Sequence, residues 1–212
     1  SIYPEFRIMF RIYRPMMYAA VLILYASVSV PAAFIEKPGI YKIVSANRYG
    51  FIDTSGKIII PPTFVEAGDF SDGLCEAKGE NGLYGYIDKT GQFVIKPSFD
   101  LAKPFTEGLG LINVKGKYGF IDRSGKTVIE PKFELAWNFT GGIARIRSGA
   151  LFGYINPSGK VIVEPKYTDA GKFSEGLASI KMGDLYGYMD TTGKVVIQPR
   201  FEYAWMMTEG LG

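Results

Sequence analysis

The chain has 212 residues, 47% of them apolar and 15% aromatic, enough to bury a sizeable core and too apolar for a disordered chain. Its formal charge is +3, with no histidine and one cysteine. These features exclude an electrostatic footprint for nucleic acid, histidine-based nucleophile systems and metal sites, and a disulfide within the chain.

In chain order, the first segment has its own logic. Arg11 and Arg14 precede an uncharged apolar run over residues 16–30, followed by Pro31, Ala32 and Ala33. A basic flank, an apolar stretch and then small residues is the secretory signal pattern. Val30 and Ala32 take the small-residue positions before a cut at Ala33, and Met9 is a plausible start of the native product. Residues 1–33 are therefore expected to form an apolar helix that acts as a cleaved signal peptide. The alternatives are an anchor retained in the membrane over residues 16–35, since the run approaches the length of a span, and a buried core helix. The reading predicts an exported protein, in the periplasm, at the cell surface or secreted.

From residue 49 a pentapeptide recurs five times. Tyr49-Gly50-Phe51-Ile52-Asp53 returns at Tyr84, Tyr118, Phe152 and Tyr186, at an interval of 35 and then 34 residues. A period of that size signals a repeat array rather than one catalytic domain. The aromatic stretch reads as a strand. The next four residues, as in Asp122-Arg123-Ser124-Gly125, read as a hairpin tip. Aspartate bonds the backbone of the turn, and glycine takes the left-handed position that closes it. Gly56, Gly91, Gly125, Gly159 and Gly193 are therefore predicted to have positive φ.

A β-branched run follows, such as Ile58-Ile59-Ile60, predicted to be a strand buried on both faces and ended by Pro62, Pro97, Pro131, Pro165 or Pro199. Beyond the proline, an aromatic residue, an alanine and a second anchor recur at spacings of three, as in Phe133, Ala136 and Phe139. This reads as an irregular crossover. A third strand closes the unit, opening on Gly-Leu or Gly-Ile. Its next column is always small: Cys75, Gly110, Ala144 and Ala178. The pentapeptide glycine is the expected partner of that column.

The expected fold is all-β: a tandem array over residues 34–212 of about 34-residue, three-stranded antiparallel units, stacked because none buries its apolar face alone. An open solenoid-like stack is favoured over a propeller-like ring. Residues 39–48 read as part of a unit before the first pentapeptide, and 211–212 as the start of a third strand.

The repeat resembles the WG repeat proteins of bacteria. Their unit reads roughly WGFID-x-x-G-K-x-V-I-x-P-x-F-x-x-A-x-x-F-S-E-G-L-A-x-V, and residues 186–212, YGYMDTTGKVVIQPRFEYAWMMTEGLG, follow it closely. One departure is consistent: tyrosine or phenylalanine stands where that family usually has tryptophan. The resemblance implies β-repeats and no particular chemistry.

Candidate chemistry is sparse. Cys75 shares a column with glycine and alanine, which favours a buried, inert thiol over a nucleophile. Asp53, Asp88, Asp122 and Asp190 suit the turn better than a calcium ladder or a glycosidase pair, and Asn156 fills the same slot. No catalytic residue, metal ligand or cofactor is expected. One crossover slot varies freely: Gly68, Lys103, Trp137, Gly171 and Trp205. Trp137, Trp205 and Lys103 are therefore the candidate ligand-binding residues, the indoles suited to stacking on sugar rings or anchoring a partner. The expected function is a non-enzymatic binding or scaffold surface for a protein or cell-envelope glycan. The alternative is a targeting array appended to an enzyme domain beyond residue 212.

Overall fold

A computed structural model describes residues 39–205. The apolar helix expected within residues 1–33 and the third strand expected from residue 211 lie outside the described residues. Ile40–Gly212 forms a unit distinct from Ser1–Gly39, and every regular element among the described residues is a strand.

Among the described residues, five antiparallel sheets follow one another. The first has three strands, β1 (Tyr41–Ser45), β2 (Arg48–Ile52) and β3 (Ile58–Phe64). The second has β4 (Glu66–Ala67), β5 (Cys75–Lys78), β6 (Tyr84–Ile87) and β7 (Phe93–Phe99). The third has β8 (Leu101–Ala102), β9 (Leu109–Val114), β10 (Lys117–Asp122) and β11 (Thr127–Phe133). The fourth has β12 (Leu135–Ala136), β13 (Ala144–Ser148), β14 (Leu151–Ile155) and β15 (Val161–Tyr167). The fifth has β16 (Asp169–Ala170), β17 (Leu177–Met182), β18 (Leu185–Asp190) and β19 (Val195–Phe201).

The repeating sheet thus has four strands, not three. The expected crossover contains the extra one, a two-residue strand that pairs with the strand after it: Leu135 faces Arg147 and Ala136 faces Ile146. The sequence repeat is also out of phase with the sheets. Residues 118–151 supply β10 and β11 to one sheet and β12 and β13 to the next.

The hairpin tips form as expected. Gly56, Gly91, Gly125, Gly159 and Gly193 have φ between +81° and +86°. In the third sheet, Asp122 Oδ1 accepts from the backbone N–H of Ser124 at 2.8 Å and of Lys126 at 3.1 Å, and from the Ser124 hydroxyl. Asn156 makes the same three bonds, which explains why an amide replaces the acid there.

The strand after the tip departs from expectation in two ways. Its burial alternates: Ile129 is buried while Val128 is 40% exposed. Nor does the proline end it, because the strand runs on through a bulge. Tyr118 pairs with Phe133 and Phe120 with Ile129, so Gly119 alone stands opposite residues 130–132. A Cβ on Gly119 would lie 2.6 Å from Pro131 N. The pentapeptide glycine therefore makes room for the bulged backbone, not for the small column. That column leaves room for rings instead: a Cβ on Gly110 would sit 2.9 Å from both the Phe105 ring and the Tyr86 hydroxyl.

Among the described residues, four apolar clusters hold the array together, each joining two consecutive sheets, as an open stack and a ring alike require. One aromatic pair repeats in all of them: Phe51–Phe70 at 5.0 Å, Tyr86–Phe105 at 4.7 Å, Phe120–Phe139 at 4.8 Å and Tyr154–Phe173 at 5.1 Å. The crossover ring drops onto the pentapeptide ring of the sheet before it. Each such side chain contributes roughly 1.5–3 kcal/mol on burial, so adjacent sheets are welded by their connecting segments.

Candidate binding groove on the crossover face

The variable slot has a fixed backbone. Gly68, Lys103, Trp137 and Gly171 each donate their N–H to a carbonyl of the next strand, on Glu76, Leu111, Arg145 and Ser179, at 2.8–3.1 Å. The scaffold repeats while the facing side chains change in pairs. Glycine stands over Glu76 and over Ser179, and tryptophan over Arg145. Lys103 is exposed and Trp205 is 82% exposed. Trp137 is only half-buried, because Arg145 lies across its ring. The three candidate residues stand in the same slot of different repeats, and the structure does not gather them into one pocket.

A groove opens at Trp137. Its volume is about 510 Å³, and its walls are two consecutive crossovers, Trp137, Asn138 and Thr140 from one and Gly171, Lys172 and Phe173 from the next. Ile143, Arg145 and Tyr154 complete the lining. The Tyr154 hydroxyl donates to the Gly171 carbonyl at 2.5 Å and ties the second crossover to β14. Tyr86 and Tyr188 make the equivalent bonds to the carbonyls of Lys103 and Trp205.

Arg145 dominates the electrostatics. Its guanidinium lies 3.7 Å from the Trp137 ring centre and 5.5 Å from that of Phe152, and it donates to the Ala170 carbonyl. Its Nε is buried without a protein acceptor. Removal from water pulls its pKa below the usual guanidinium value. Sequence reasoning missed Arg145, Tyr154 and Phe173. A signal for Arg145 was present: its column reads Lys42, Glu76, Leu111, Arg145 and Ser179, as variable as the slot it faces.

Elsewhere the chemistry is quiet. Cys75 is fully buried, and burial pushes its thiol up to about 12, so it is a poor nucleophile at neutral pH. Hydrogen bonds from Ser55, Thr90, Ser124 and Thr192 hold Asp53, Asp88, Asp122 and Asp190 below the usual carboxylate range, as the turn role requires. Among the described residues no group of acids and cysteine is arranged to hold a metal ion. Glu76 is the unusual carboxyl. It is 9% exposed, its Oε2 has no protein partner, and burial raises it to about 7.

These sheets are tandem antiparallel β-repeats with a near-constant unit length, and the sequence matches a family built of them. The WG containing repeat family matches residues 49–84, 84–118, 118–151, 152–186 and 186–212, and the chain belongs to that family. No curated protein matches it. Among solved structures, it is similar to Kluyveromyces lactis Hsv2, at 10% identity over 74% of this chain with a TM-score of 0.48. It spans 58% of that structure's length. It is also similar to streptogramin B lyase, at 19% identity, 77% of this chain, 65% of that one and a TM-score of 0.41. A third similar structure is the computationally designed Ika4 protein, at 12% identity, 61% of this chain, 87% of that one and a TM-score of 0.36.

Proposed function

We propose that the array is an exported, non-enzymatic binding or scaffold module that recognises protein or cell-envelope glycan through its crossover face. One observation carries the reading. The backbone of that face is repeated bond for bond, while its side chains change from repeat to repeat and at Trp137 frame a groove. Natural ligand sites are concave, largely apolar and furnished with a few polar groups, and this groove has that character. The lack of histidine, the inert Cys75 and the engaged turn carboxylates support binding without turnover. Export rests on the basic, apolar and small-residue succession at the N-terminus.

The test is binding of the purified chain to arrayed envelope glycans and to envelope proteins. Signal should fall with Trp137→Ala and Trp205→Ala. Hydrolysis of a glycan or peptide, abolished by one carboxylate substitution that leaves the fold intact, would overturn the non-enzymatic reading. Expression in a bacterium from Met9 should give a mature protein outside the cytoplasm beginning near Ala33, and a soluble, uncut cytoplasmic product would reject export.

A further inference from the structure

The groove at Trp137 differs from its siblings along the array. Under Gly68 the equivalent position holds an acid, Glu76; under Lys103 it holds Leu111; under Gly171 it holds Ser179. Among the described residues, it is at Trp137 that an indole and a guanidinium are stacked at a cavity wall. Two cationic residues, Arg145 and Lys172, line the space and no acid does. The rest is mainly apolar or aromatic: Trp137, Ile143, Tyr154 and Phe173.

The charge on Arg145 is only partly compensated. Among the described residues no carboxylate lies within salt-bridge distance of it. The nearby acid, Asp169, acts on it only from beyond that distance, and its oxygens are turned to other donors, accepting from the Ala170 N–H at 2.8 Å and the Tyr186 hydroxyl at 2.9 Å. A partly desolvated cation without a salt-bridge partner is costly, and stacking on Trp137 and Phe152 offsets only part of that cost. A ligand anion at the groove would offset the remainder, in charge-assisted contact with a guanidinium whose plane the two rings already hold.

We infer that this groove takes an apolar carboxylate, a compound with one aromatic or aliphatic body and one acid group. The acid sits at Arg145 with Lys172 at the rim, and the body lies against Trp137, Ile143 and Phe173. The inference rests on the reading of the crossover face as a binding surface and names the chemistry that one of its sites selects. The shared chemistry has two sources, a free organic acid or the C-terminus of a protein ending in an apolar residue. Both fit a volume within the usual range for ligand pockets, roughly 300–1,000 Å³.

The experiment uses the full chain and the ¹⁵N NMR signal of the Trp137 indole N–H, distinguished from that of Trp205 with Trp205→Phe. The probes are 3-phenylpropionate and its neutral twin 3-phenylpropionamide. The acid should shift the signal saturably and bind roughly tenfold more tightly than the amide. Arg145→Gln should erase that preference, and Lys172→Ala, at an exposed position, should weaken the acid by about two- to threefold. A glycine-rich tetrapeptide ending in phenylalanine, with a free or an amidated C-terminus, separates the sources. Tighter binding of the free-acid peptide than of 3-phenylpropionate assigns the site to a protein terminus, and weaker binding assigns it to a free acid. Equal affinity for acid and amide, or an acid affinity unchanged by Arg145→Gln, overturns the inference while leaving a binding groove in place. No shift with any probe overturns it as well, and binding to envelope components through other repeats would then decide the broader reading independently.

Discussion

The carboxyl of Glu76 occupies the space that a side chain on Gly68 would need. Burial there raises it to about 7, while Lys42 and Lys103 pull it down and Asp69 pushes it up. Because its folded pKa exceeds the ordinary 4.5, the folded chain holds a proton that the unfolded chain has released between those values. The stability that Glu76 contributes should therefore be full at and below pH 4.5 and fall as pH rises to about 7, by on the order of 1–3 kcal/mol. The turn aspartates have the opposite sign and act only below the ordinary carboxyl range. Chemical denaturation across pH 5–8 should show the decline, and Glu76→Gln should flatten it. A Gly68→Ala variant should push the carboxyl toward water and lower its titration midpoint; an unmoved midpoint would mean that Gly68 is not what lets it stay buried.

The tip glycines separate backbone strain from packing. Gly56 has φ +84° and nothing within 4 Å of a would-be Cβ, whereas Gly91 has the same φ with Ile60 at 2.8 Å. Gly56→Ala should cost about 1–2 kcal/mol from strain alone. Gly91→Ala should cost more, because it also pries one sheet from the next. Thermal melts that rank the two variants the other way would count against the stacking at this contact.

The pentapeptide glycine should be the least tolerant position. A Cβ on Gly119 would meet Ile129 O at 2.5 Å and Pro131 N at 2.6 Å, and both are backbone atoms that cannot rotate aside. Gly119→Ala should destabilise the array by roughly 3 kcal/mol or more, at the upper end for single substitutions. A loss below ~1 kcal/mol would show that the bulge can open.

A second inter-repeat tie is polar. Glu107, held at φ +53°, accepts from the N–H groups of Gly141 at 2.6 Å and Gly142 at 2.9 Å, one repeat onward. Charge-assisted bonds of this kind are worth roughly 1.5–3 kcal/mol, less at an exposed site such as this. Glu107→Ala should speed hydrogen exchange at Gly141 and Gly142 and leave the hairpin tips unchanged; exchange that does not respond would count against the tie.

Much of the fold was legible because its signals are local. The aspartate or asparagine and the glycine of each tip act within five residues, and five copies of one spacing leave little room for another reading. The two-residue strands carry no such signature. Ala136 pairs with Ile146 through backbone geometry set by the rings around it, not by alanine's own preference. The bulge was hidden for a similar reason: Val128 and Ile129 look equally apolar in sequence, and only the shifted register at Phe120 tells them apart. At the groove, the variable tryptophan slot stood out, but the partner on which it depends lies eight residues away on the following strand. Arg145 could be paired with Trp137 only once the carbonyl that fixes them opposite each other was known.

The prolines and the two-residue strands have one more consequence. In the second to fifth sheets, one edge strand is only two residues long and the other is broken by a bulge and a proline that lacks a donor. A valine- and isoleucine-rich chain with long, flat edges would recruit its neighbours into mixed sheets. Here neither edge offers the unbroken ladder that such recruitment needs. The features that look like irregularities of the repeat thus guard against fibril formation, and straightening the edge by Pro131→Val should be read out as aggregation on storage rather than as a change in ligand affinity.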